Sequence, residues 1–205
     1  MPTLLRIDAS ARFQGSQSRA LADKFVDAWK SKTSGGTIVT RDLAKTPTPH
    51  VDADSTAAFT TAPEDRTPAL DAAAAHSDAL IEEFQSADEV LIATPVYNFG
   101  TPSVLKAYVD NLVRAGKTFS YDPTAGFSGL AQPKCAYLAI AYGASGYVGG
   151  AMASMDFLKP YLESVLTFIG IPKIETVYVE GTAFDPAAAE KSRAEADANI
   201  AKALG

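Results

Sequence analysis

Five short apolar runs alternate with longer segments of helical periodicity along this chain of 205 residues. Turn residues or helices bound each run, which is typical of strands covered on both faces. The predicted strands are residues 4–7, 37–39, 90–93, 136–140 and 174–179. A β-α order repeated five times predicts a parallel sheet with helices on both faces and right-handed crossovers.

The segments between and after these strands are predicted to be helices, because their apolar residues recur at helical spacing. The expected helices cover residues 16–32, 70–84, 104–112 and 155–169, with an alanine-rich helix after Asp185. With five strands, the leading topology is the flavodoxin-like order 2-1-3-4-5, a three-layer α/β sandwich. The length suits one core, so we expect a single domain over residues 1–205. Two longer stretches, residues 43–65 and 115–133, are predicted as irregular loops.

The charge and residue composition argues against several classes of protein. The balance of 18 basic and 24 acidic residues gives a net charge of -6, which disfavours nucleic acid as a partner. The sequence has no long apolar run and no basic segment before an apolar stretch, so we expect no membrane association and a cytoplasmic location. Cys135, the only cysteine, and two histidines give no metal-ligand spacing, so no metal is expected.

Three serines follow the first predicted strand, just where the first helix begins. Ser10, Ser16 and Ser18 have the spacing S-x5-S-x-S. Their hydroxyl groups and the free N–H groups of the helix would converge on an anion at the positive end of the helix dipole. The dinucleotide fingerprint G-x-G-x-x-G is missing, so a mononucleotide phosphate is favoured. The alternative is that Ser16 only caps the helix.

Two more loops should meet this turn, because ligands of open parallel sheets bind beyond the carboxyl ends of the strands. After the third strand, Tyr97, Asn98 and Phe99 offer flat apolar surface and an amide, which suit a planar heterocycle with polar edges. The alternative is a structural turn with aromatic residues packed over a helix end. After the fourth strand, residues 141–146 form a small-residue turn that a ligand can approach closely.

Two short motifs resemble catalytic signatures but lack essential parts of them. Gly116-Lys117-Thr118 resembles the end of a P-loop, but position 111, where that motif requires glycine, is Asn111. The segment 143–145 resembles a nucleophile elbow, but its final glycine would fall at Tyr147. Neither a nucleoside-triphosphate site nor a serine-hydrolase triad is expected.

Taken together, these segments resemble the FMN-dependent NADH-azoreductases, also described as quinone reductases, of the flavodoxin-like superfamily. The resemblance covers nearly the whole chain, and the combined pattern is far more specific than any single piece. It rests on Ser10 with Ser16-Gln17-Ser18, Pro95-Val96-Tyr97-Asn98-Phe99, the helical segment 105–110, the segment 114–119 and Phe168-Ile169-Gly170-Ile171.

The resemblance implies a homodimer with one tightly bound, non-covalent FMN per subunit. NADH or NADPH would reduce the flavin, and quinones or azo compounds would reoxidise it in a ping-pong cycle of hydride transfers. Because the flavin carries the hydride, no catalytic side chain is implied. Two aromatic residues of the second long loop, Phe119 and Tyr121, are expected to contact the acceptor.

The resemblance also assigns the cofactor-binding residues. Ser10, Ser16, Gln17 and Ser18 would bind the phosphate, and Pro95, Val96, Tyr97, Asn98 and Phe99 would line the isoalloxazine. Ala141, Tyr142, Gly143 and Ala144 would face its pyrimidine edge. Members of the family often have a hydroxyl residue, a basic residue and glycine where this chain has Ala141, Tyr142 and Ala144. Those departures bear on how the flavin N1 and O2 edge is stabilised, and hence on the preferred acceptor.

Two other functions fit parts of the sequence. A flavodoxin-like carrier would pass electrons to a protein partner, but such carriers are usually shorter and strongly acidic around the flavin. A non-catalytic module that binds a phosphate-bearing metabolite would keep the same fold. Bleaching of bound flavin by NADH and its recovery with a quinone would distinguish the enzyme from both.

Overall fold

A computed structural model describes all residues from Met1 to Gly205. Five strands form a parallel sheet, and two further strands form a separate antiparallel hairpin. The strands are β1 (Thr3–Asp8), β2 (Thr37–Asp42), β3 (Glu89–Pro95), β4 (Phe119–Asp122), β5 (Gly126–Gly129), β6 (Cys135–Ala141) and β7 (Ile174–Val179). The helices are α1 (Gln17–Lys32), α2 (Ala53–Thr60), α3 (Pro68–Gln85), α4 (Ser103–Leu112), α5 (Lys159–Phe168) and α6 (Pro186–Ala203).

The spatial order of the sheet is β2-β1-β3-β6-β7, and all four neighbouring pairs are parallel. This is the predicted order once the two hairpin strands are left out of the count. The strand order reverses between β1 and β3, so the loops after these two strands leave the same edge on either side of the switch point. All five predicted strands therefore belong to the sheet.

The two faces of the sheet carry separate cores. Leu5 and Ile7 of β1 point into a cluster with α3, α4 and α5, whereas Leu4 points into a cluster with α1 and α6. The interior strand β6, between β3 and β7, is buried along its whole length, as expected of a parallel strand covered on both faces. The three-layer arrangement of the flavodoxin-like fold follows from this alternation.

Both stretches that were predicted to be irregular contain regular structure. Residues 43–65 include α2, whose N-terminus is capped by Asp52 through a bond of 2.8 Å from the Ser55 N–H, and a 3-10 turn at Pro63–Asp65. Residues 115–133 include the β4–β5 hairpin. Its turn is held by the Asp122 carboxylate, which accepts the N–H groups of Thr124 and Ala125 at 2.8 Å each. Elements this short carry little periodic signal.

The helix expected over residues 155–169 begins later than predicted. Met155 lies in a 3-10 turn, Ala153–Met155, and α5 starts at Lys159 with Pro160 in its first turn. The Asp156 carboxylate accepts the N–H groups of Leu158 and Lys159 at 3.0 Å each. These bonds satisfy the free donors at the start of α5, which is why the helix begins there.

Cys135 is 5% exposed at the start of β6, and burial raises the pKa of its thiol. None of the six helices has both the length and the apolar character needed to cross a membrane.

Candidate functional site

Four loops surround one cleft of about 270 Å³ at the carboxyl edge of the sheet. They follow β1, β3, β6 and β7, and the cleft lies where the strand order reverses, as expected for an open α/β sheet. The lining residues are Ser10, Arg12, Ser16, Gln17, Ser18, Pro95, Val96, Tyr97, Ala141, Gly143, Thr182, Ala183 and Phe184.

The serine-rich turn forms one end of the cleft, and its three hydroxyl groups are buried. Ser16 caps α1 by accepting the Arg19 N–H at 3.4 Å, and its Oγ lies 3.4 Å from Ser18 Oγ. Ser10 Oγ accepts the Arg12 N–H at 3.2 Å. Each hydroxyl that accepts a backbone N–H keeps its own proton to donate. The helix cap therefore leaves these hydroxyl protons available to an anion.

Arg19 stabilises this turn through hydrogen bonds to its backbone. Its guanidinium donates to the Ser10 carbonyl at 2.8 Å and to the Arg12 carbonyl at 3.0 Å. The same group makes two bonds to the Asp42 carboxylate at the end of β2. Because the carbonyl groups of the turn are bonded to arginine, its N–H groups and hydroxyls are available to an anion in the cleft.

Charges beneath the turn are arranged around the buried carboxylate of Asp8. Burial raises the pKa of Asp8, and the nearby guanidinium groups of Arg6, at 3.1 Å, and Arg19, at 3.3 Å, oppose that rise. The pKa of Asp42 is lowered, chiefly by its hydrogen bonds from Arg19. These ion pairs tie β1, β2 and α1 together directly under the cleft.

The turn after β3 forms the wall of the cleft and has unusual backbone geometry. Tyr97 and Gly100 exchange two backbone hydrogen bonds, of 3.1 and 3.0 Å. Between them, Asn98 and Phe99 have φ angles of 48° and 69°, the only positive values at residues other than glycine. Strained residues of this kind concentrate at ligand sites. Tyr97 lines the cleft, whereas Asn98 and Phe99 lie at the exposed tip of the turn.

The loop after β7 is a part of the site that sequence reasoning missed. Thr182, Ala183 and Phe184 line the cleft opposite the serine-rich turn, and Phe184 is 81% exposed. Two hydrogen bonds of 2.9 Å hold this loop against the loop after β6. Ala183 N donates to the Gly143 carbonyl, and Thr182 Oγ1 donates to the Tyr142 carbonyl.

Two signals in the sequence could have identified these lining residues and Arg12 as part of the cleft. Ligands of open parallel sheets bind beyond the carboxyl ends of the strands, and residues 182–184 follow the carboxyl end of β7. Arg12 lines the cleft as well, and it is the one cation within the serine-rich turn.

Two of the four residues expected at the pyrimidine edge do not line the cleft. Ala141 and Gly143 do, but Ala144 packs against the core on the far side of the sheet. Tyr142 is fully buried, stacks on Tyr147 with ring centroids 4.8 Å apart, and donates its hydroxyl to Asp156 at 2.7 Å. Successive residues of a strand point to opposite faces, which explains this separation.

The two aromatic residues expected to contact the acceptor lie on the hairpin, away from the cleft of their own chain. Phe119 packs on Phe168 at 4.9 Å between ring centroids, and Tyr121 packs on Phe127 at the same distance. Tyr121 and Phe127 are 61% and 62% exposed. Contiguous exposed aromatic side chains are typical of a surface that contacts another molecule.

The donor set of the cleft fits a flavin mononucleotide. Buried hydroxyl groups, a helix N-terminus and Arg12 suit a phosphate. The strip formed by Pro95, Val96 and Tyr97 gives an apolar wall for a flat ring. Nowhere in the chain do three or more histidine, cysteine or carboxylate side chains cluster in a way that could hold a metal ion. Fold and cleft together define a flavodoxin-like α/β protein with a mononucleotide cleft at its switch point.

Comparison with known proteins identifies the family within that class. Residues 2–204 match a family model described as a flavodoxin-like fold. A Xanthobacter autotrophicus protein named FMN-dependent NADH:quinone oxidoreductase is 50% identical over 176 residues, which cover 85% of this chain and 84% of that protein. A Nostoc protein of the same name is 40% identical over 205 residues, covering 100% and 99%.

A solved structure agrees with these relatives. The crystal structure of an azoreductase from Bacillus anthracis superposes with a TM-score of 0.87 at 32% identity, covering 100% of this chain and 97% of that one. The chain belongs to this flavodoxin-like family, and its resemblance to the azoreductases and quinone reductases is confirmed.

Proposed function

We propose that this chain is an FMN-dependent NADH oxidoreductase that reduces quinones and azo compounds. The observation that carries the proposal is the cleft at the switch point, in which a phosphate end and an apolar wall lie side by side. The names of close relatives, at 40 to 50% identity over most of the chain, agree with that chemistry. One domain over residues 1–205 provides all of these residues.

The serine-rich turn is proposed to hold the phosphate. Ser10, Ser16 and Ser18 would donate their hydroxyl protons, and Gln17 and Ser18 would add the unpaired N–H groups of the first helical turn. Arg12 lies in the same lining and would add a positive charge. These donors are fixed by the strand before them and the helix after them, so binding costs little reorganisation.

The isoalloxazine is proposed to lie against Pro95, Val96 and Tyr97, with Asn98 and Phe99 at the exposed tip of the same turn. Backbone groups of Ala141 and Gly143 would face its pyrimidine edge. The Tyr142 and Ala144 side chains are directed away from the cleft, so they would act only by fixing the loop.

When bound in this cleft, FMN would supply the chemistry of hydride transfer between the nicotinamide and the acceptor. The residues of the chain need only bind, orient and shield the reacting groups. Phe184, 81% exposed at the opening of the cleft, offers an aromatic surface on which a flat nicotinamide or acceptor can stack.

A homodimer is proposed as the working assembly. Its support is the exposed cluster of Phe119, Tyr121, Phe127 and Phe168 on the hairpin and the end of α5. This cluster does not line the cleft of its own chain. In a dimer it would be free to cover the flavin of the partner and form a slot for a flat acceptor.

The proposal is tested with purified protein saturated with FMN. Under anaerobic conditions NADH should bleach the flavin absorption band, and a benzoquinone or an azo dye should restore it. Steady-state rates with NADH and NADPH against both acceptors would give the cofactor preference. If FMN fails to bind, or if neither nicotinamide bleaches it, the proposed function is wrong.

The dimer requires a separate measurement. Light scattering during size-exclusion chromatography should give twice the mass of the chain. Truncating Tyr121 to Ala should raise the KM for quinones while the flavin stays bound, and an unchanged KM would restrict the cluster to a structural role.

A further inference from the structure

A second cavity, of about 320 Å³, lies between the segment after α2 and the loop from α4 to β4. It shares no lining residue with the flavin cleft. The lining residues are Phe59, Thr60, Thr61, Ala62, Pro63, Arg66, Arg114, Ala115, Gly116 and Lys117. The cavity therefore includes Gly116-Lys117, part of the segment that resembles the end of a P-loop.

All charged residues that line this cavity are cations. The side chains of Arg114 and Arg66 are 3% and 6% exposed, and that of Lys117 is 38% exposed. All three cations form ion pairs with the same carboxylate. Asp78 lies 2.6 Å from Arg114, 3.6 Å from Lys117 and 3.9 Å from Arg66. Because these three cations share one carboxylate, the cluster keeps an excess of two positive charges.

Arg114 provides a second indication that this group of cations is short of hydrogen-bond acceptors. One face of its guanidinium lies 4.1 Å from the Phe59 ring centroid, and its Nη1 donates to Ser77 and Asp78. Its Nε is buried and has no hydrogen-bond partner, which is costly for a charged donor. Burial lowers the pKa of Arg114, and the nearby Asp78 carboxylate offsets only part of that effect.

We propose that this cavity binds a phosphate group through Arg66, Arg114 and Lys117. The uncompensated charge matches a phosphate dianion better than a single carboxylate, and guanidinium groups bind phosphate oxygens in a forked geometry. Gly116 has a φ of 73°, and a Cβ added there would meet no atom within 4 Å. The backbone beside Lys117 is therefore open to a ligand.

The site differs in kind from a nucleoside-triphosphate loop. Lys117 follows a helix and not a strand, and Arg114 and Lys117 lie beyond the C-terminal end of α4. The charge of side chains, and not a helix N-terminus, would hold the anion. The phosphate could be free inorganic phosphate or the phosphate group of a larger metabolite, since both present the same oxygens.

The test uses the FMN-saturated protein, so that the flavin cleft is already filled. Inorganic phosphate and phenyl phosphate are titrated by calorimetry at constant ionic strength in chloride, with benzoate as the carboxylate counterpart of phenyl phosphate. Lys117→Ala removes the most exposed cation without touching the core. Lys173→Ala, which removes a lysine paired with Glu175 elsewhere, is the matched control.

We expect saturable binding of one phosphate per chain, weakened about tenfold or more in Lys117→Ala because a hydrogen bond to a charged group is lost, and unchanged in Lys173→Ala. Tighter binding of phenyl phosphate would assign the site to a phosphorylated metabolite, and tighter binding of inorganic phosphate would assign it to the free anion. Absence of saturable binding, equal binding by Lys117→Ala, or benzoate binding as tightly as phenyl phosphate would overturn the proposal.

Discussion

Arg19 of α1 holds the carboxylate of Asp42, the last residue of β2, through two hydrogen bonds of 2.8 and 2.9 Å. The same guanidinium reaches the carbonyl of Ser10 in the serine-rich turn at 2.8 Å. One side chain therefore joins the edge strand of the sheet to the turn that lines the phosphate end of the cleft. From this position we infer that Arg19 orients the turn proposed to bind the flavin phosphate.

Replacing Arg19 with Ala should weaken FMN binding by about tenfold or more, because several hydrogen bonds of a charged group are lost together. Arg19→Lys should restore only part of the affinity, since an ammonium group cannot reproduce the fork. Fluorescence titration of the apoprotein with FMN measures both. Lys24→Ala, an exposed change on the same helix, should have no effect, and full affinity in Arg19→Ala would contradict the assignment.

The double substitution Ser16→Ala and Ser18→Ala should weaken FMN binding while leaving riboflavin binding nearly unchanged, because only FMN carries the phosphate. Loss of the helix cap should also lower the free energy of unfolding by about 1 kcal/mol. Ser31→Ala, at an exposed serine of the same helix, is the control. Equal losses of affinity for FMN and riboflavin would show that the turn is only a helix cap.

Asp42→Asn should change how stability depends on pH. Hydrogen bonds from Arg19 lower the pKa of Asp42 in the folded chain. The ionised carboxylate therefore stabilises the fold above its unfolded pKa of about 3.9, and this contribution is lost as the pH falls through the lower folded pKa. The difference in unfolding free energy between wild type and Asp42→Asn should be constant near neutrality and shrink in acid.

Urea unfolding at a series of pH values measures that difference. The raised pKa of Asp8 has the opposite effect on how stability depends on pH. Because Asp8 is present in both proteins, its contribution largely cancels in the difference between them. Asp197→Asn, at an exposed carboxylate, provides the control for loss of charge alone. A difference that is independent of pH would contradict the ion-pair account.

The architecture was predictable because its elements carry strong periodic signals. The strand β6 is an unbroken run of buried residues, and α1 presents Phe25, Val26 and Trp29 to one face. The hairpin was missed for the opposite reason. Its strands are four residues long, contain Gly126 and Gly129, and pair only with each other, so their pattern is too short to stand out.

The site was predictable as far as it follows from strand ends. Ser10, Pro95 and Ala141 lie within two residues of the ends of their strands, and the switch-point rule brings them together. Side-chain direction was harder to predict, because neighbours at a strand end face opposite ways. Tyr142 therefore joins the core, whereas Ala141 beside it lines the cleft.

Tyr142→Phe tests that distinction. Losing the hydroxyl bond to the Asp156 carboxylate should lower the unfolding free energy by about 1.5–3 kcal/mol. The affinity for FMN should stay within about twofold of wild type, because the two sites are separate. Thermal unfolding and FMN titration of the same preparation give both values. A large loss of FMN affinity with little loss of stability would make Tyr142 a direct ligand.

Gly129→Ala should dislodge the hairpin from the end of α5. A Cβ at Gly129 would lie 2.3 Å from the backbone of Ile169 and Gly170, so backbone must move, at a cost of about 1–3 kcal/mol. We expect a lower unfolding midpoint and altered quinone kinetics, with FMN still bound. Gly100→Ala, which meets no atom within 4 Å, should be close to neutral, and a neutral Gly129→Ala would contradict this packing.

The burial of Cys135 matters for a protein that handles quinones. Quinones are electrophiles, and they alkylate proteins by adding to thiolates, the reactive form of cysteine. The only thiol of this chain lies between the sheet and the layer of α1 and α6, and burial raises its pKa. The chain thus exposes no thiol to its own substrates, and mass spectrometry after prolonged turnover should find Cys135 unmodified.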